Sequence, residues 1–231
     1  MTSPKTTGRT IGVLLLVQMI CGPLVNFVLL GVLSKDPPGF LVAAAANARQ
    51  ISLGALVGLG MGVLSLAIAI VAWPMVRRCN ERMALGLLAL AIIGVALSGV
   101  EQSAVLSMLS LSQAYSKATG DAAMFQALAL TVGAARTWAH TMHLLVEGGV
   151  IFVLYGVFYR YALIPRAWAA FGMVAATLLI SAVAMSVFGH AFEFPLLMPL
   201  GSSQLALVVW LMVKGLAEPR QPLHVGAPSA A

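Results

Sequence analysis

Residues 51–76 read ISLGALVGLGMGVLSLAIAIVAWPMV, a run of apolar and small side chains with no charge anywhere in it. A membrane-spanning helix needs roughly 20 predominantly apolar residues, so this stretch is long enough to cross a bilayer. Five similar runs flank it: 11–33, broken only by Gln18 and Asn26, then 83–111, 128–159, 167–188 and 197–216. The composition agrees. Of 231 residues 61% are hydrophobic and 9% charged, with a mean hydropathy of +0.99, whereas a soluble domain carries about 25% charge. Soluble globular and disordered classes are both excluded. The expected fold is an all-α, polytopic membrane bundle of six transmembrane helices, a single domain over 1–217. The proline-bearing tail 218–231 reads as disordered.

Six spans put both termini on one side. Lys5, Arg9, Arg77, Arg78, Arg82, Arg160, Arg166, Lys214 and Arg220 fall on the side of the termini, while Lys35, Arg49, Lys117 and Arg136 fall opposite. The excess of Lys and Arg in cytoplasmic loops predicts that both termini are cytoplasmic. The net charge of +6 is then a topology signal. It is no nucleic-acid footprint, since basic residues are not interleaved with aromatics.

The first run could be taken for a signal peptide. It is longer than an h-region of 7–15 residues and ends without a small-x-small site, so retention as the first helix is expected. Ala46-Asn47-Ala48 would form such a site but lies well past the run. Cys21 and Cys79 fall at different depths, which rules out a disulfide between them. Asp36-Pro37-Pro38-Gly39 marks a turn, and residues 40–49 after it read as a short interfacial helix.

Gly54, Gly58 and Gly62 recur every four residues, the small-xxx-small spacing that lets helix backbones approach closely. They predict a helix-packing face, either against a neighbouring span or across a homodimer. They lie inside a helical run and not in a strand-to-helix turn, so they are no nucleotide fingerprint.

Ionisable residues within spans are costly and mark interiors or cavities. Arg136, His140, His143 and Glu147 are spaced i, i+4, i+7, i+11, so they share one helical face. Counting back from Tyr159 at 1.5 Å per residue, Glu147 lies about 18 Å in, His143 about 24 Å and His140 about 28 Å. Glu101, about 27 Å from Met83, falls at similar depth. His190, Glu193, Asn26 and Gln204 also belong to the outer half, so five spans could contribute to one outward-facing region.

Three chemistries fit this stripe. It could be a ligand, ion or proton site formed by Glu101, Arg136, His140, His143, Glu147 and His190. It could be a divalent-metal site of His140, His143 and Glu147 completed by Glu101 or His190, or a haem held between histidines. Or it could be a self-neutralising network, with Glu101 against Arg136 and Glu147 against a histidine. The histidines do not form H-E-x-x-H, and no G-x-S-x-G, Walker A or C-x-x-C is present. Non-enzymatic binding of a small ligand, ion or proton is the favoured function, with an intramembrane metal- or haem-dependent enzyme as its alternative. The partners expected are the lipid bilayer and an unidentified small ligand but no nucleic acid, with a homodimer through the second span as the alternative to packing of its glycines within the bundle.

At the joints between spans stand Thr7-Gly8-Arg9-Thr10-Ile11-Gly12, Leu163-Ile164-Pro165-Arg166 and Trp210-Leu211-Met212-Val213-Lys214-Gly215. In their order and spacing, and in a histidine-bearing fourth span, the chain resembles the bacterial domain-of-unknown-function 4386 family over about residues 5–216. The resemblance implies a six-span protein of the bacterial inner membrane and no assigned activity.

Overall fold

A computed structural model describes residues 3–36, 38–118, 121–190 and 194–219. Glu193 and the tail from 220 onward lie outside the described residues. Among those described, the elements are α1 (Pro4–Pro23), α2 (Gly39–Ala46), α3 (Ala48–Cys79), α4 (Glu81–Tyr115), α5 (Ala122–Arg160), α6 (Arg166–Val187) and α7 (Met198–Val213), with no strand. Six helical stretches are long and apolar enough to cross a membrane, all but α2 contributing one. The chain is an all-α membrane-type bundle.

Several helices outrun the apolar runs that announce them. Helix α5 has 39 residues, about 58 Å at 1.5 Å each, against a hydrocarbon core of about 30 Å. Apolarity reports depth in the bilayer and not helix length. Polar positions such as Ser112 and Gln113 therefore continue α4 to Tyr115. The ends are set by side chains that accept the first free N–H groups. Ser3 accepts from Thr6, Asn80 from Met83 and Asp121 from Met124.

The first span is not one regular helix. Pro23 has no N–H for the carbonyl four residues back, and beyond it the chain widens into a π-helical turn, Leu24–Leu29. Gln50 of α3 donates its Nε2 to the Val28 carbonyl at 2.8 Å and to that of Leu29 at 3.2 Å. The short helix expected over 40–49 is α2, which ends at Ala46, Ala48 and Arg49 already belonging to α3. It buries Phe40, Leu41 and Ala44 and is tied to α4 through Ser112, whose Oγ donates to the Leu41 carbonyl at 2.6 Å and accepts from the Ala45 N–H at 2.8 Å.

Each span packs on the next from α3 through α7, and α1 closes the ring against both α7 and α3. Inside it are two apolar cores. One gathers Ile11, Val76, Leu87, Tyr155, Phe158, Leu211 and their neighbours at the end that holds the described termini. The other gathers Leu30, Phe40, Ile51, Val105 and Ala129 at the opposite end. Along α3 the cores stop at Ala69–Ile68 and resume at Ala55; along α4 the gap runs from Ala91 to Val105, and along α5 from Ala129 to Val150. These three gaps lie side by side, and a polar layer fills them.

Candidate functional site

Helix α3 brings only small groups to this layer. Gly58 packs against the Gln102 carboxamide, and a Cβ on Gly62 would lie 2.9 Å from that of Ser98. Ser98 donates its Oγ to the Gly58 carbonyl at 3.2 Å. Gly54 packs against Leu29 and Leu30. All three glycines are buried within the chain, where they let α3 close on α4 and on the end of the first span. The same row continues one turn further to Ser65, which is also buried.

Helix α4 supplies the acceptor. The Glu101 side chain is only 6% exposed, and its two oxygens face different histidines of α5. His140 Nδ1 lies 2.9 Å from Oε1, and His143 Nδ1 lies 2.9 Å from Oε2. An ionised carboxylate only accepts, so against it each imidazole donates its Nδ1–H and presents Nε2 away from Glu101. Charge-assisted bonds of this kind, held from both sides, fix the carboxylate and both rings together. The histidine side chains are 40% and 17% exposed respectively, so the cluster runs inward from His140 to His143 to Glu101.

Glu147 lies one turn further along α5. Ser65 donates its Oγ to that carboxylate, 3.1 Å from either oxygen, and Gly94 of α4 leaves the room beside it. His143 is near enough to act on Glu147 through its charge. Arg136 acts on Glu101 in the same way, but no ion pair under 4 Å joins them among the described residues. The buried Arg136 Nε and Gln102 Oε1 have no hydrogen-bond partner.

The sequence-derived set is thus brought together in its core and trimmed at its edges. Glu101, His140, His143 and Glu147 form one cluster with Arg136 beside it. The pairing differs from the neutralising scheme, since Glu101 bonds the two histidines in place of Arg136, and Glu147 bonds Ser65. His190 is exposed just beyond α6 and takes no part in these bonds. Asn26 donates within its own helix to the Gly22 carbonyl. The bonded cluster is therefore built by three spans, α3, α4 and α5, and not five. Ser65 was missed in the sequence; the signal that could have found it is a polar residue one turn (i+3) beyond Gly62 inside an apolar run. Among the described residues, no three His, Cys, Asp or Glu side chains are grouped so as to hold a metal ion.

A family model described as a domain of unknown function, DUF4386, matches residues 10–215. The chain belongs to this family. No curated protein and no solved structure matches it. The DUF4386 match takes in nearly all of the six spans and every residue of the polar layer, so this cluster lies wholly within the family's domain. Membership itself assigns no activity, and the chemistry rests on the side chains.

Proposed function

We propose that this DUF4386 protein binds and relays protons within the membrane through His140, Glu101 and His143 toward Glu147. The observation that carries the reading is the single carboxylate of Glu101 held by two histidines at 2.9 Å each. A proton taken at His140 Nε2 allows the Nδ1 proton to pass to Glu101 Oε1. In the relaying state Glu101 carries its own proton on Oε2 and His143 is the Nε2–H tautomer. Oε2 then gives that proton to His143 Nδ1 as Oε1 receives the one from His140, and His143 releases its Nε2 proton toward Glu147. The transfers into and out of Glu101 are between groups 2.9 Å apart, and the last step leads to an acid that feels the His143 charge. The graded exposure gives the relay a direction, from the partly open His140 to the enclosed acid. Histidine suits the task because its ordinary titration range lies near neutrality.

The test is proton flux into proteoliposomes under a potassium diffusion potential, read by a trapped pH dye. Wild-type vesicles should exchange protons faster than empty ones, and Glu101→Gln or His143→Phe should lower the protein-dependent rate about a hundredfold, the scale of a lost proton-transfer group. Wild-type vesicles no faster than empty vesicles would end the proposal. Metal content of the same preparation, and the effect of a chelator on its flux, separate the relay from a metal-dependent site.

A further inference from the structure

The three joint segments noted in the sequence meet at the opposite end of the molecule. Gly8 and Gly12 of α1 pack tightly on α7 and the segment after it, and a side chain at either position would run into Gly215–Leu216 or Leu211–Met212. Gly215 turns the chain there with φ +72°, and the Ala217 N–H donates to the Leu163 carbonyl at 2.9 Å. The second and third segments, with Lys5 just before the first, wall a bowl of about 610 Å³. Three of its lining side chains are cationic, Lys5, Arg166 and Lys214, and none is acidic. All three are exposed, and among the described residues none is in an ion pair under 4 Å.

Beside the bowl is a second cavity of about 300 Å³ between α6 and α7. Tyr155, Trp168, Phe171, Ser203, Ala206 and Leu207 line it, so it is almost wholly apolar. Ile164 borders both cavities. Trp168 of the slot packs against Trp210 of the bowl with ring centroids 5.8 Å apart. Trp168 and Phe171 are 44% and 46% exposed, which opens the slot toward surrounding hydrocarbon. A cationic bowl at the ends of spans, continuous with an apolar slot that runs inward, has the amphipathic order of a lipid and not of a soluble anion. Tryptophans at the junction fit the depth at which such rings favour the membrane interface.

We propose that this face binds one anionic phospholipid, its phosphate in the bowl of Lys5, Arg166 and Lys214 and an acyl chain in the slot beneath Trp168. Basic residues near a membrane surface attract acidic headgroups by an amount that corresponds to about fivefold in affinity per Lys or Arg. The site is independent of the histidine cluster, so either assignment can fail alone.

Native mass spectrometry of the full chain, released from neutral detergent with equimolar phosphatidylglycerol and phosphatidylcholine of identical chains, reads the preference directly. Wild type should retain phosphatidylglycerol over phosphatidylcholine, and R166Q/K214Q should lose about thirtyfold of that preference. K5Q, at an exposed position that does not threaten folding, should lose about fivefold. A206F, which fills the slot, should weaken both lipids alike. No preference in wild type, or a preference that survives R166Q/K214Q and K5Q, would overturn the site. Displacement of phosphatidylglycerol by millimolar inorganic phosphate, with A206F silent, would overturn it in favour of a soluble anion.

Discussion

The Gly172 backbone of α6 lies flat against the Tyr155 ring, so a Cβ at that position would fall inside the ring. Tyr155 has nowhere to retreat. It is fully buried, and its hydroxyl donates to the Ser203 carbonyl of α7 at 3.0 Å. Gly172→Ala should therefore destabilise the protein by about 2–3 kcal/mol, the upper range for a group forced into a packed core. Tyr155→Phe, which removes only the hydroxyl, should cost about 1 kcal/mol. Unfolding in mixed micelles of neutral and anionic detergent measures both, and a Gly172→Ala protein as stable as wild type would show that the ring can move. The same contrast explains what single residues disclosed in advance. Glu101, His140, His143 and Glu147 could be found from sequence because charge inside an apolar run is conspicuous and helical spacing fixes which residues share a face. Which acid would meet which base could not be found. Arg136 was the natural partner by charge, yet the rotation of α4 about its own axis turned Glu101 to the histidines. In the same arrangement Gln102 and Ser98 of α4 pack on Gly58 and Gly62 of a third helix, which carry no charge to read.

On α3 the two sides of the helix make opposite demands. Gly62 is pressed on Ser98 and Val95, whereas nothing lies within 4 Å of a Cβ on Gly60. Gly62→Leu should push α4 away, cost about 1–3 kcal/mol, and stretch the Ser65–Glu147 contact one turn below. Gly60→Leu should be tolerated, and the two are compared in the same detergent-unfolding assay and in the flux assay. Equal behaviour of the two variants would mean that the glycine row does not set the α3–α4 distance. The row was legible as a packing face from its period of four, but its partner was not, because helix neighbours depend on the ring order of the bundle. The π-helical turn after Pro23 was equally hidden. A proline announces a break in the ladder, while the choice among kink, stop and widened turn depends on Gln50 reaching the carbonyls of Val28 and Leu29.

Hydropathy alone gave six spans and hence two ends, and the bundle now assigns every described cation to one of them or to the layer between. Val76, Tyr161 and Leu216 share one core with Ile11, so Lys5, Arg9, Arg77, Arg78, Arg82, Arg160, Arg166 and Lys214 border a common end. Lys35, Arg49 and Lys117 lie toward the other. Arg136 belongs to neither, because its Nε is buried in the polar layer, and taking it out of the opposing group widens the asymmetry on which orientation depends. The end with the bowl should therefore face the cytoplasm, where acidic headgroups are plentiful, and His140 should open toward the outside. A fluorescent protein fused after Ala217 should light up, and alkaline phosphatase inserted after Ala118 should be active. Reversed reporters would place the bowl in the outer leaflet and turn the relay inward. They would leave both sites intact, since the relay requires only that His140 be the more exposed histidine, and the bowl only that it meet a layer of acidic headgroups. On the proposed relay, orientation would decide which way protons run from His140 to Glu147, and the eight cations at the bowl end are the feature expected to set it.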